Sequence, residues 1–387
     1  MNWESCLNFP SRSLTIDTFR EFKMASNVEQ HSEQREVTLV IPGRNAANTL
    51  RMCLDAAVKL LGQNGLKEII FVDDGSTDES RNIVARYPVR YLRGHGMGPG
   101  SARNIGWRAA ATPLVWFIDA DCVTEIDALE LLLEHLDDDV AAVGGSYGNM
   151  RDDSLVACLI HHEIIQRHRK MSADVNMLSS FNVLYRRDVL RQVGGFDDEN
   201  MVNCRGSAGA EDLELAYRVA ETGLRLKFEP NSRVGHYHPT NLTNYLRVQC
   251  RHGYWRVPLY MRHSSRVSGD SYCSLLDLIQ PPAAMLVIAM LPLLFTNWWN
   301  FPVAMAACLL VAQLPMTARI VVRLRQVRYA SYIMFGFVRA FYRGFGMSWA
   351  VLSLMFAPKK VLDSTPVVVP VRQSSSNLVP VDYFEEC

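Results

Sequence analysis

A short apolar segment that ends in two carboxylates constrains the fold of this sequence more than any other feature. Residues 114–118 have the sequence LVWFI, a length and composition typical of a buried β-strand. Asp119 and Asp121 follow, and in extended backbone their side chains would lie on the same side. Carboxylates this close disfavour joint ionisation unless a cation lies between them. The segment therefore predicts a divalent-cation site at a strand end, although a polar turn or a helix cap would also fit.

Length and composition set the limits of the interpretation. The 387 residues are enough for a full α/β domain and an appended region. Forty Lys and Arg residues balance forty Asp and Glu residues, so the net charge gives no reason to expect nucleic acid as a partner. The nine cysteines form no CxxC pair, which is typical of a reducing compartment and argues against structural zinc.

The first 35 residues are polar and of mixed composition. No cationic start in this segment precedes an apolar core of the length that a secretory signal needs. We interpret residues 1–35 as a disordered leader. Met24 is then a candidate start of translation, a hypothesis that N-terminal sequencing of the native protein would test.

Residues 36–92 have the pattern of a βαβ unit. Residues 37–41 and 68–72 are short apolar runs typical of buried strands. Between them, apolar residues recur at helical spacing, at Leu50, Leu54, Val58 and Leu61. A strand, a crossover helix and a second strand predict a parallel pair.

Polar residues follow each of three predicted strands. They are Pro42-Gly43-Arg44-Asn45, Asp73-Asp74-Gly75-Ser76 and Asp119-Ala120-Asp121. In open α/β sheets, ligands bind outside the carboxyl ends of the strands. We therefore expect these three strand ends to form one binding site.

These motifs, in this order, resemble those of the family-2 glycosyltransferases. The resemblance covers about residues 36–240 and also includes Ala102-Arg103-Asn104-x-Gly106. It implies an α/β chain with the GT-A nucleotide-diphospho-sugar transferase fold, a Rossmann-like, mixed and mostly parallel sheet. It also implies transfer of a sugar from a nucleotide-diphospho-sugar donor.

The resemblance assigns roles to individual positions. The residues that it places near the donor are Pro42, Arg44, Asp73, Asp74, Arg103 and Asp119. It makes Asp121 a ligand of Mg²⁺ or Mn²⁺, together with His236. Oxygen ligands suit these hard cations, which would neutralise the departing diphosphate. His238 is the second choice for the histidine, and either ring could instead be a core histidine.

A helix is predicted to begin at Glu211-Asp212, because Leu213, Ala216, Tyr217 and Ala220 define an apolar helical face. Acidic residues in a first turn are favoured by the helix dipole alone. The resemblance implies a catalytic role for the pair, with Asp212 as the general base for the acceptor hydroxyl. In-line attack would then invert the anomeric centre.

Composition changes near residue 274. Residues 275–295 and 301–318 approach the length of membrane spans. Arginines precede the first and follow the second, which predicts a hairpin at about 275–318 with cytoplasmic ends. We interpret residues 329–357, which contain Arg339 and Arg343, as an amphipathic interfacial segment. A third span or a buried soluble helix are the alternatives.

The sequence thus predicts four regions: a leader (1–35), a catalytic domain (36–262), a membrane-associated helical region (263–360) and a flexible tail (361–387). We expect a multi-pass inner-membrane enzyme with a cytoplasmic catalytic domain. Its acceptor would be lipid-linked or close to the membrane. A processive polysaccharide synthase and a catalytically inactive scaffold of the same fold are the alternatives.

Overall fold

The structure, a computed structural model, describes residues 35–198, 209–267 and 269–356. The expected leader (apart from Arg35), the candidate start at Met24 and the expected tail at 361–387 lie outside the described residues.

Four parallel strands form the first part of the sheet. They are β1 (Val37–Gly43), β2 (Leu66–Asp73), β3 (Arg90–Arg93) and β4 (Leu114–Ile118), in the order β3-β2-β1-β4. The helices between them are α1 (Ala47–Lys59), α2 (Ser80–Val84) and α3 (Pro99–Ala109). The predicted βαβ unit is present, since β1 and β2 pair in parallel with α1 between them in the chain.

The second part of the sheet is mixed. Its elements are β5 (Cys122–Thr124), α4 (Ala128–Glu134), β6 (Val140–Asn149), α5 (Leu155–His168), β7 (Asp174–Val175), β8 (Asn182–Arg186), α6 (Arg187–Val193), α7 (Glu211–Glu221) and β9 (Arg225–His236). The order continues from β4 as β8-β6-β9-β5, and β7 pairs with β9. Four of the eight strand pairings in the described residues are parallel and four are antiparallel. The expected mixed sheet is confirmed, but the expectation that it is mostly parallel was wrong.

Helices cover both faces of the central strands, which explains their continuous apolar runs. On one face Trp116 and Phe71 pack in a cluster with Leu50 of α1. On the other face Phe117 and Val40 pack with residues of α3, α6 and α7. The two buried layers fix the direction of each strand, and therefore the position of the residues at its end.

Helices α8 (Leu242–Arg262), α9 (Leu275–Ala289), α10 (Asn300–Val311), α11 (Leu314–Leu324) and α12 (Tyr332–Met355) complete the described chain. Within the described ranges, one helical segment, Asn300–Leu324, is long and apolar enough to cross a membrane, with a mean hydropathy of 1.8. Helix α9 has 15 residues, or about 22 Å at 1.5 Å each, less than the roughly 30 Å of a bilayer core. The expected hairpin and a multi-pass arrangement are therefore not supported.

Helix α12 packs closely along α8. A Cβ atom added to Gly346 would lie 1.9 Å from the carbonyl oxygen of Cys250, and one added to Gly253 would lie 2.1 Å from that of Arg343. Only residues without a side chain allow the two backbones to approach this closely. On the outer side, Phe345, Trp349 and other large apolar side chains are exposed.

Buried ion pairs tie α12 to the sheet domain. Arg339 of α12 pairs with Glu163 of α5. Arg167 pairs with Glu163 at 2.8 Å and with Asp277, in the first turn of α9, at 2.7 Å. These side chains expose 15% or less of their surface. Arg339, one of the two arginines that interrupt the third apolar region in the sequence, therefore faces the protein interior.

Candidate active site

Hydrogen bonds hold the ends of β1 and β2 together. The amide of Asp74 donates to the carbonyl of Gly43 at 2.8 Å. The side-chain oxygen of Asn45, a residue with a φ of 54°, accepts a hydrogen bond from the amide of Thr77 at 2.8 Å. Pro42 is buried within β1, whereas Arg44 is exposed at its end. Two of the three polar strand ends that the sequence predicted to converge are thus in contact.

Asp73 and Asp74 are both 4% exposed and hold the neighbouring loops. Asp73 accepts hydrogen bonds from the amide of Ser76 and the hydroxyl of Tyr91, each at 2.8 Å. The two oxygens of Asp74 accept from the amides of Gly96 and Gly98, each at 2.8 Å.

A cleft of about 460 Å³ lies beside this anchored loop. Its lining residues are Gly75, Arg93, Gly94, His95 and Gly96. Gly96 has a φ of 74°, a conformation that side chains disfavour. The cleft has room for a heterocyclic ring against exposed backbone.

Arg103 is the fifth residue of α3 and is the centre of the site. Its guanidinium donates to Asp119 at 2.6 Å and to Glu211 at 3.0 Å. Burial lowers the pKa of Arg103, but the charges of Asp119 and Glu211 raise it more, so the side chain stays cationic. Its Nε is buried without a hydrogen-bond partner in the described residues. Arg103 thus joins the end of β4 to the start of α7.

Asp121 and His236 face each other between β5 and β9. The β5–β9 ladder pairs Cys122 with His236, which brings the Nε2 atom of His236 to 3.3 Å from a carboxylate oxygen of Asp121. Burial raises the pKa of Asp121, but the charge of His236 and the hydrogen bonds to the carboxylate together lower it more. Burial conversely lowers the pKa of His236, and Asp121 raises it more. The two side chains therefore favour each other's charged forms.

These side chains fit a divalent cation. One ligand atom each of Asp121, Cys122 and His236 lie within 4.8 Å of one another. Burial raises the pKa of the Cys122 thiol well above its usual value, so the sulfur stays protonated and is a poor ligand. The remaining oxygen and nitrogen donors suit Mg²⁺ or Mn²⁺.

Glu211 and Asp212 have different surroundings at the start of α7. Glu211 is 5% exposed and bound to Arg103, and burial, followed by the charge of Asp212, raises its pKa. Asp212 is half-buried and accepts hydrogen bonds from the amides of Leu213 at 2.8 Å and Ser180 at 3.4 Å. Of the two carboxylates, Asp212 is the one without a cationic partner among its hydrogen bonds in the described residues.

The sequence assigned no role to two residues that shape the site, Asn104 of the helix motif and Tyr147. The side chain of Asn104 accepts a hydrogen bond from the amide of Phe196 at 2.9 Å and donates one to the carbonyl of Phe196 at 2.8 Å. These two bonds fix the turn that contains Phe196. Tyr147 of β6 stacks on Phe181 at 3.5 Å, with the ring of His236 4.9 Å away. Alternation along a strand could have indicated Tyr147, but only the register of β6 with β9 brings it beside His236.

Comparisons with known proteins show which proteins the chain is similar to. Residues 38–194 match the family model described as Glycosyl transferase family 2. The pre-mycofactocin glycosyltransferase of Mycobacterium tuberculosis is 32% identical over 249 residues, which are 60% of this chain and 49% of that protein. The poly-beta-1,6-N-acetyl-D-glucosamine synthase of Staphylococcus aureus is 23% identical over 51% of this chain and 49% of its own. The chain thus spans about half the length of these curated relatives.

One solved structure is similar over most of the chain. It is the mannosyltransferase PcManGT from Pyrobaculum calidifontis in complex with GDP-Man and Mn²⁺, with a TM-score of 0.51 and 18% identity. The match covers 88% of this chain and 96% of that one. The likeness concerns the fold, and the expected GT-A-like α/β fold is confirmed.

Proposed function

We propose that this chain, an enzyme whose residues 38–194 form a family 2 glycosyltransferase domain, moves one sugar from a nucleotide-diphospho-sugar to an acceptor hydroxyl with inversion. The observation that carries the proposal is the bridge from Asp119 through Arg103 to Glu211. This bridge connects two parts of the site. One is the strand end, which suits a metal and a diphosphate, and the other is the helix that carries the candidate base.

The donor would bind along the strand ends. The cleft beside Gly96 suits the base, because Asp74 fixes the loop whose backbone lines it. Arg103 is a buried cation with an unused Nε–H, which suits a diphosphate oxygen. Arg44, exposed at the end of β1, is a second cation for the donor.

Asp121 and His236 would hold Mg²⁺ or Mn²⁺. The bound cation would neutralise the negative charge of the departing diphosphate. The facing oxygen and nitrogen atoms, 3.3 Å apart, support this assignment. The Mn²⁺ named with PcManGT is a parallel in a protein of similar fold.

Asp212 is our candidate for the general base. A base needs a free lone pair within hydrogen-bond reach of the acceptor hydroxyl, and the hydrogen bonds of Asp212 come from two backbone amides. The carboxylate of Glu211 forms an ion pair with Arg103. Its role would be to hold that arginine toward the donor.

The acceptor would be lipid-linked or close to a membrane. Support comes from the apolar segment Asn300–Leu324 and from exposed Phe295, Trp298 and Trp299 at the turn before it, since tryptophan is enriched at bilayer interfaces. We propose attachment to the inner membrane, with the catalytic domain on the cytoplasmic side.

Sugar transfer by the full-length protein in purified membranes tests the proposal. Labelled nucleotide-sugars are screened for transfer, and Asp121→Ala and Asp212→Asn are compared with the wild type. We expect a product with one added sugar and almost none with either variant. A ladder of products would instead support a processive synthase. Full transfer by both variants would overturn the site, and no transfer from any donor would favour an inactive scaffold.

A further inference from the structure

We propose that His238 is a positioning residue that holds His236 in the tautomer needed to bind the metal ion. The inference rests on the proposed role of His236 as a metal ligand. It adds a residue that touches neither the metal nor the sugar.

The geometry of the two rings sets their proton positions. The Nδ1 atoms of His236 and His238 lie 3.0 Å apart, so one of them donates and the other accepts. The Nε2 atom of His236 faces Asp121. When that nitrogen gives its lone pair to a metal, the proton of the neutral ring is on Nδ1, which donates to His238. His238 must then accept through Nδ1 and carry its own proton on Nε2.

His238 is held in the required place. The side chain is 3% exposed, and its ring lies 5.6 Å from the ring of Tyr147 at a steep angle. Its Nε2 atom is buried without a hydrogen-bond partner in the described residues. An N–H at this position needs an acceptor, because an unpaired buried donor is costly.

His161 of α5 supplies that acceptor. Its Nδ1 atom is also buried and without a partner in the described residues, and its ring centroid lies 5.6 Å from that of His238. Burial lowers the pKa of His161 to about 4, so at neutral pH the ring is uncharged and has one accepting nitrogen. The two unpartnered nitrogens thus belong to neighbouring rings, and we assign the Nε2 proton of His238 to the Nδ1 atom of His161. The chain of contacts is then Asp121, His236, His238 and His161.

Metal binding without a donor tests this role. Mn²⁺ is titrated into the purified full-length protein in detergent, and free Mn²⁺ is measured by electron paramagnetic resonance. His238→Phe keeps an aromatic ring but has no nitrogen, and we expect it to weaken Mn²⁺ binding by about tenfold or more, the usual effect of removing such a partner. His161→Phe should weaken it less, since the bond from His236 to His238 survives.

Two amide substitutions separate positioning from packing. In His238→Asn the amide oxygen takes the place of Nδ1, so we expect an affinity within about threefold of the wild type. In His238→Gln the amide takes the place of Nε2, so the affinity should stay close to that of His238→Phe. His135→Asn is the control, because His135 is partly exposed and pairs with Glu229, seven residues before His236 in β9.

The outcomes distinguish this inference from the proposed function. Wild-type Mn²⁺ affinity in His238→Phe, or equal loss in the Asn and Gln variants, would overturn the role of His238. If the wild-type protein does not bind Mn²⁺, the assignment of Asp121 and His236 as ligands is wrong, and this inference is wrong with it. Normal Mn²⁺ binding without any sugar transfer would refute the proposed function alone. Should His238→Phe unfold, the Asn and Gln pair decides the question.

Discussion

Replacing Glu163 with glutamine should destabilise the protein in a way that depends on pH. Glu163 receives hydrogen bonds from Arg167 at 3.0 and 2.8 Å and pairs with Arg339. Burial raises the pKa of this carboxyl, but Arg339, Arg167 and Arg343 together lower it further, from 4.5 to about 2. Because one pKa unit corresponds to about 1.36 kcal/mol, the ionised carboxylate contributes roughly 3 kcal/mol to folding at neutral pH.

The sign of the pH dependence follows from the lowered pKa. The unfolded chain takes up a proton first, at about 4.5, and the folded protein only near 2. The contribution is therefore complete above pH 4.5 and is lost as the pH falls toward 2. In Glu163→Gln, Arg339 also loses its anion, and breaking a buried pair typically costs about 3–5 kcal/mol.

The measurement is the free energy of unfolding of the full-length protein in detergent, followed by tryptophan fluorescence in a urea series. We expect Glu163→Gln to be less stable than the wild type by roughly 3 kcal/mol at pH 7, with a difference that shrinks below about pH 4.5. Glu134→Gln is the matched control, since Glu134 is exposed and should change stability by about 0.5 kcal/mol or less. Equal stability at pH 7, or a difference that persists unchanged to pH 2.5, would refute the reasoning.

Three further substitutions address the site and the helix contact. Asp212→Asn should lower kcat by about 10²–10⁴ while Mn²⁺ binding is unchanged; an undiminished kcat would exclude Asp212 as the base. Asp121→Ala should weaken Mn²⁺ binding at least tenfold in the same titration, and wild-type affinity would remove Asp121 from the ligand set. Gly346→Ala should lower the unfolding temperature by several degrees, because its Cβ would meet the carbonyl oxygen of Cys250. Ala350→Gly leaves that contact intact, so its effect should be that of helix propensity and of one lost buried methyl group, and equal effects would contradict close packing of the two helices.

The sequence was informative where one local pattern has one structural meaning. Continuous apolar runs such as residues 114–118 predicted strands that are buried on both faces. The residues after Gly43, Asp73 and Ile118 could be expected to converge, because parallel strands end at the same edge. Arg103 was expected near the donor, but its bond to Glu211 spans 108 residues and depends on how α7 packs.

The expectations that failed depend on features that a local sequence pattern does not show. Helix α9 ends at Ala289, inside the apolar run at 275–295. The run does not indicate this end, because hydropathy averages over helix breaks. Arg339 interrupts an apolar region in the sequence, yet its partner Glu163 lies on α5. Strand β8 lies antiparallel between β4 and β6. No local sequence pattern indicates this position, so the share of parallel strand pairs was overestimated.

The pair between Glu163 and Arg339 has a consequence for synthesis on the ribosome. The two residues are 176 positions apart, and at about 5–20 residues per second the arginine is made roughly 9 to 35 s after the glutamate. Glu163 must therefore wait for the last described helix before both of its cationic partners are present. During that interval Arg167, four residues along the same helix, is the partner that shields the carboxylate. The nascent sheet domain can thus assemble early, but its α5 surface is completed only when nearly the whole described chain has been translated.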